Sequence, residues 1–393
     1  MERITKHLKA NEQLLYFTSS SLSLDDQYLY FISDRTGSPN IFHLHIPTGE
    51  EQQLTFNEEG VMQSYVYFDG QPHRGLGKAS AALHPGSGTV YAIMDNVLHR
   101  FSNGESSPLW QIPDDQVTAF THVSRDNRFI CVPTTDARAF EGTLGDDKLT
   151  AIDARVQNLE LSSYLNIIDS VTGEVAACEE VPRCWVTHAQ FNPADPFLIL
   201  YNHEWPSDCG IRRMWLWNGK THKRLRGEQE SSPAAGGYPR QREDWVCHEM
   251  WSHDGKYLVY HGGYSDGPFF VGSMKWNGGS LREIPLPDNY RGYGHFTISR
   301  NGLLVSDGYY SHEPSKKNTD LGVETGEWLS LQLPDWSKGD LQWKPLCRHG
   351  SSWDSQDSHP HPIFSQDGRA VYFTSDWEGT CQVYRAALDA FLV

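Results

Sequence analysis

One short pattern comes round seven times in this chain and limits what it can fold into. A turn rich in Asp, Asn and Gly is followed by alternating apolar residues and then a polar stop. The turns are Leu24-Asp25-Asp26-Gln27, His84-Pro85-Gly86-Ser87-Gly88, Ser124-Arg125-Asp126-Asn127, Asn192-Pro193-Ala194-Asp195, Ser252-His253-Asp254-Gly255, Ser299-Arg300-Asn301-Gly302 and Ser365-Gln366-Asp367-Gly368. Gly and Asn tolerate positive φ, so these are tight hairpin turns. Behind each comes a strand-like run such as Tyr28-Leu29-Tyr30-Phe31-Ile32 or Tyr257-Leu258-Val259-Tyr260. Several copies carry a second turn, as at Pro47-Thr48-Gly49-Glu50 and Val171-Thr172-Gly173-Glu174. Two hairpins make a four-stranded antiparallel blade, and seven such blades predict an all-β seven-bladed β-propeller. The longest insertions run from about Ala137 to Ser162 and from Gly227 to Trp245, and helical periodicity is nearly absent. Leu14-Leu15-Tyr16-Phe17-Thr18 lacks a blade of its own. It is expected to complete the last blade beside Gln382-Val383-Tyr384-Arg385 and lock the ring.

The 393 residues exceed an ordinary domain, but propellers reach this size as one unit, so residues 1–393 are read as a single domain. A hydrophobic content of 38% with 12% aromatics fills a core of that size. The formal charge of -17 argues against nucleic acid or an anionic membrane as partner, while a small anion in a locally positive pocket stays possible. Met1 to Asn11 is polar, without the apolar run of a secretory signal, and no stretch approaches a membrane span. The 7 Cys form no C-x-x-C pair. Together these point to the reducing cytoplasm. The oligomeric state is not legible.

Most of the 18 His stand singly among turn and strand residues, where a surface or hydrogen-bonded role is ordinary. Gln356-Asp357-Ser358-His359-Pro360-His361-Pro362 is different. In an extended chain His359 and His361 fall on one side, and the prolines stiffen the segment between them. His295 precedes the Asn301-Gly302 turn as His361 precedes Asp367-Gly368, so the two occupy equivalent places in adjacent blades. His248, His188 and His122 hold the corresponding places in blades five, four and three. Three imidazoles and the Gln356 amide oxygen suit a divalent ion such as manganese, zinc or nickel. In Ile211-Arg212-Arg213-Met214-Trp215 alternation sends the two Arg to opposite faces, and one of them could grip a carboxylate with both arms.

Four segments in this order resemble the oligogalacturonate lyase family, polysaccharide lyase family 22. Tyr16-Phe17-Thr18-Ser19 with Asp34-Arg35-Thr36-Gly37-Ser38-Pro39-Asn40 is similar to its opening blade, which propellers of the bacterial Tol system share. His203-Glu204-Trp205-Pro206 with Arg213-Met214-Trp215 is similar to its fourth. His248-Glu249-Met250-Trp251 resembles its His-Glu-x-Trp segment, and Gln356-x-x-His359-Pro360-His361-Pro362 its metal loop, the most specific of the four. The resemblance implies a manganese-bearing propeller that cleaves short pectin fragments by β-elimination. It implies His295, Gln356, His359 and His361 as metal ligands and His248 as general base. Arg213 would bind the substrate carboxylate, with His188 and Arg240 also on the substrate. The stretch from Arg213 to His248 is longer than the family pattern, which leaves Arg212, Arg240 and Arg242 as rivals to Arg213. Two other readings stay open: a non-catalytic propeller that binds a protein or sugar, and a lyase for a different uronate oligosaccharide.

Overall fold

A computed structural model describes the chain except residues 63–66, 69–70, 73–74, 77–79, 143–147, 205–212, 227–243, 265–267, 287–289, 292–293, 311–327, 355 and 389–393. The chain is a seven-bladed β-propeller, each blade an antiparallel sheet taken mostly in chain order. Blade one is Glu12–Leu14, Tyr28–Ser33, Asn40–His45 and Glu50–Gln53. Blade seven is Ile363–Phe364, Ala370–Ser375 and Gln382–Ala387, with Glu2–Arg3 as its fourth strand. In blade three a short extra piece, His122–Val123, pairs with Phe129–Asp136 beside Gln116–Thr118. The chain divides into two compact units. Leu54–Val246 holds blades two to four. Met1–Gln53 with Cys247–Val393 holds blades one, six and seven and all but the first residues of blade five.

Four of the seven repeated turns share one local construction. Ser23, Ser124, Ser252 and Ser365 each donate a hydroxyl to the Asp two residues on, at 2.6, 2.6, 2.8 and 2.7 Å. The same hydroxyls accept the backbone N–H that re-enters the strand, as from Tyr28, Phe129, Tyr257 and Ala370 at 2.9 to 3.0 Å. The residue that closes each turn takes positive φ: Asp26 at 57°, Asn127 at 59°, Gly255 at 69° and Gly368 at 71°. These residue types are the ones that accept that conformation at low cost.

Within each unit the core lies between neighbouring blades. Ile130, Val132 and Ile168 of blade three meet Tyr91 and Ile93 of blade two, and Val371 and Phe373 of blade seven meet Leu329 and Leu331 of blade six. The inner strands of a blade, such as Tyr28–Ser33, Phe129–Asp136 and Ala370–Ser375, therefore bury side chains on both faces, which explains their near-continuous apolar runs.

Two expectations need correction. The N-terminal strand does complete the last blade, but it is Glu2–Arg3, registered against Arg385 and Tyr384, not Leu14 to Thr18. Glu12–Leu14 is instead a strand of blade one, paired with Phe31–Ser33. Leu14, Leu15, Tyr16 and Phe17 are all buried, as befits a segment packed on both sides. A blade's outer strand is half wet, and Glu2 and Arg3 suit it better. The second correction lies in the insertion after Ala137, where Lys148–Asn158 is a helix. Ile152 and Val156, four apart, form its buried face.

Candidate metal centre

All the residues of this centre belong to the unit containing both termini. His361 precedes Ile363–Phe364 and His295 precedes Phe296–Ile298, so each stands at the entry to its blade. The Pro360 carbonyl between His359 and His361 accepts the Thr374 N–H at 2.9 Å, pinning the loop to blade seven. His361 is fully buried at a φ of 46°, strain for a non-glycine residue that persists only where its surroundings impose it. One nitrogen from each of His295, His359 and His361 lies within 4.8 Å of the others. Gln356 sits in the single turn Gln356–Ser358, exposed, and its main-chain carbonyl accepts the His359 N–H at 3.4 Å.

Sequence reasoning missed the residue that ties these histidines together. Asp307 is completely buried. One of its oxygens accepts the His295 N–H; the other faces His295 Nδ1 at 3.2 Å and accepts the His361 N–H at 3.1 Å. A carboxylate on Nδ1 fixes the proton there and leaves Nε2 with the lone pair, the usual support of an imidazole that can hold a metal. Burial raises the Asp307 carboxyl above its ordinary range, while His359, His349 and His248 and the His361 N–H pull it back. The signal was Ser306-Asp307-Gly308, one acid and a glycine ending a buried strand. Gly294 completes the fit, since a Cβ there would meet Gly308 N at 2.4 Å and Asp307 Oδ1 at 2.6 Å.

His248 lies in Asp244–Trp251, its ring centroid 4.4 Å from that of His295. Its φ is 52°. Nδ1 is 2.8 Å from both the Gly294 carbonyl and His261 Nε2. A carbonyl only accepts, so the proton sits on Nδ1 and the lone pair on Nε2. Phe17 places its ring 5.7 Å from His248, 5.2 Å from His295 and 5.8 Å from His361, and Tyr16 lies 5.0 Å from His361. These are the residues expected in a closing strand; they wall the imidazole cluster instead.

The other predicted residues lie in the unit Leu54–Val246. Arg213 donates to Glu204 at 3.0 Å, and Glu204 also accepts from Thr187 and Asn202 at 2.7 Å each. Glu204 thus orients the guanidinium. His188 is buried, 2.7 Å from the Thr187 hydroxyl through Nδ1 and stacked on Phe120 at 4.5 Å. His122 Nδ1 accepts the Phe191 N–H at 3.2 Å, a structural contact. Arg212, Arg240 and Arg242 fall outside the described residues.

A family model described as oligogalacturonate lyase matches residues 90–391. The chain belongs to the oligogalacturonate lyase family. Its curated relatives are distant. The oligogalacturonate lyase of Dickeya dadantii (strain 3937) is 24% identical over 390 residues, 94% of this chain and 89% of the relative. The oligogalacturonide lyase of Pectobacterium atrosepticum is 27% identical over 300 residues, 72% and 69% of the two chains. Among solved structures, an oligogalacturonate lyase in complex with manganese superposes with a TM-score of 0.74 at 22% identity, covering 98% of this chain and 92% of that one. The oligogalacturonate lyase of Vibrio parahaemolyticus superposes at 0.76 with 20% identity, covering 99% and 94%. Within this oligogalacturonate lyase family fold, the donor set suits a divalent transition ion: three imidazoles in reach of one point, one of them held by a buried carboxylate.

Proposed function

We propose that this protein is a metal-dependent lyase that cleaves di- and trigalacturonate, saturated or 4,5-unsaturated, by β-elimination during intracellular pectin breakdown. The observation that carries this reading is the convergence of His295, His359 and His361 beside His248. We assign the metal to these three with Gln356, and take manganese as the ion by likeness to the related structure. When bound, the ion supplies a positive charge against the uronate carboxylate as negative charge builds on it. The chain's own residues do the rest. His248 Nε2, the ring nitrogen left with the lone pair, takes the C5 proton. The electron pair moves towards the C6 carboxylate, then forms the C4–C5 double bond as the C4–oxygen bond breaks. The leaving oxygen recovers a proton, and no water is added. Arg213, oriented by Glu204, is the proposed carboxylate-binding residue, and a guanidinium fork matches two carboxylate oxygens. His188 and Arg240 are assigned to substrate binding with it.

Among the described residues no helix is long and apolar enough to cross a membrane. Cys131 and Cys184 are buried free thiols, which supports the cytoplasm as the working compartment. The reaction is tested with digalacturonate in heavy-oxygen water. Elimination leaves galacturonate, whose glycosidic carbon C1 keeps the bridging oxygen and carries no label, beside a 4,5-unsaturated uronate, with exchange at C1 and at the keto product controlled. Label fixed at that carbon means hydrolysis. Inertness towards every uronate oligomer with manganese supplied would leave a binding propeller as the better reading.

A further inference from the structure

We infer that Cys247, His248 and His261 form a second metal site, one that takes a thiophilic ion such as zinc and silences His248 when filled. Cys247 Sγ, one nitrogen of His248 and one of His261 lie within 4.8 Å of one another, and none of the three belongs to the His295, His359, His361 set. The backbone explains why they meet. On a regular strand Cys247 and His248 would project to opposite faces. The positive φ of 52° at His248 breaks the alternation within Asp244–Trp251. His261 arrives from the neighbouring strand Tyr257–Tyr264 and already stands 2.8 Å from His248 Nδ1.

The chemistry of the two donor sets separates their preferred ions. Manganese is hard and gains little from sulfur, whereas thiolate with imidazole is a zinc set. Zinc takes nitrogen at about 2.0 Å and sulfur at about 2.3 Å, so donors in a tetrahedral site stand roughly 3.3 to 3.5 Å apart. The two ring nitrogens, 2.8 Å apart, must open slightly, and the sulfur, within 4.8 Å of both, must settle at about 3.5 Å from each. His261 is buried, His248 is buried and Cys247 is half-buried, so the donor set is largely but not wholly withdrawn from water. On binding, the thiol proton leaves to solvent, and His248 Nδ1 exchanges its hydrogen bond for the metal while its proton moves to Nε2, which then has no lone pair to act as a base.

The binding itself stands on geometry alone; its inhibitory consequence rests on the proposed base role of His248. Cadmium is the probe, because its thiolate complexes absorb in the ultraviolet through charge transfer. Titrated into the full chain preloaded with manganese, cadmium should raise this band with about one equivalent. In Cys247→Ser, a near-isosteric change outside the catalytic machinery, the tight phase should vanish while manganese binding stays. In His261→Ala cadmium affinity should fall about tenfold or more. Zinc should inhibit the wild-type lyase and lose most of that effect in Cys247→Ser. A tight cadmium band that survives Cys247→Ser overturns the proposal. So does unchanged cadmium affinity in folded His261→Ala, which would mean a thiol binding alone. If every uronate proved inert but the band followed both residues, the site would stand and the lyase reading would fall.

Discussion

At the scale of the residue, two side chains carry most of the weight. Asp307 bridges His295 and His361, so Asp307→Asn should leave the fold in place and lower manganese affinity about 10- to 100-fold. Electron paramagnetic resonance of free manganese reads this directly, and unchanged affinity would remove Asp307 from the assignment. Gly294→Ala should weaken binding by the same route, because its Cβ pushes on the Asp307 carboxylate. His248→Ala should keep the metal and lose about 10²- to 10⁴-fold in turnover. If that variant worked at the wild-type rate, another base would have to be found, His188 first. The histidines were legible from Gln-x-x-His-Pro-His and from equivalent positions before two turns. Asp307 was not, because a lone Asp ahead of Gly in Ser306-Asp307-Gly308 reads as another turn. Glu204 was visible only as part of a motif; its partners Thr187 and Asn202 meet it through strand pairing that no local pattern reveals.

At the scale of the element, the repeat was legible because one chemical device recurs: a Ser bonded to an Asp, then a residue at positive φ. Ser365→Ala removes the acceptor for the Ala370 N–H and the donor to Asp367, and should cost about 1 to 2 kcal/mol in denaturant unfolding. A loss no larger than that of an exposed Ser→Ala elsewhere would show the turn to be dispensable. The closing strand was misassigned because apolar richness was taken as its mark. Pairing at the outer edge of a blade needs backbone groups more than apolar side chains, so two polar residues do it. The helix Lys148–Asn158 was hidden by its brevity and its mostly polar composition.

At the scale of the whole molecule, charge and pH set the working conditions. The net charge of -17 should repel long oligogalacturonates more than dimers, so added salt should raise cleavage of the longer substrates preferentially. Rates on dimer and hexamer across a salt series check this, and equal response would discount the field. His203 stacks on Trp215 at 4.6 Å, and burial pushes its pKa down to about 3. The unfolded ring titrates near 6.5, so the unfolded chain binds more protons between these values. Stability from a neutral His203 is therefore fully present above about pH 6.5 and is lost as pH falls towards 3, by up to about 1.4 kcal/mol per unit. His203→Gln should flatten the acid limb of a melting-temperature profile. The pairing of Glu2 with Arg385 has a consequence in time. A ribosome adding about 5 to 20 residues per second delivers the last blade roughly 20 to 80 s after the first strand. Through that interval the strand Glu2–Arg3 lacks the partner it pairs with in the fold, and whatever blades have formed expose an open edge to the cell.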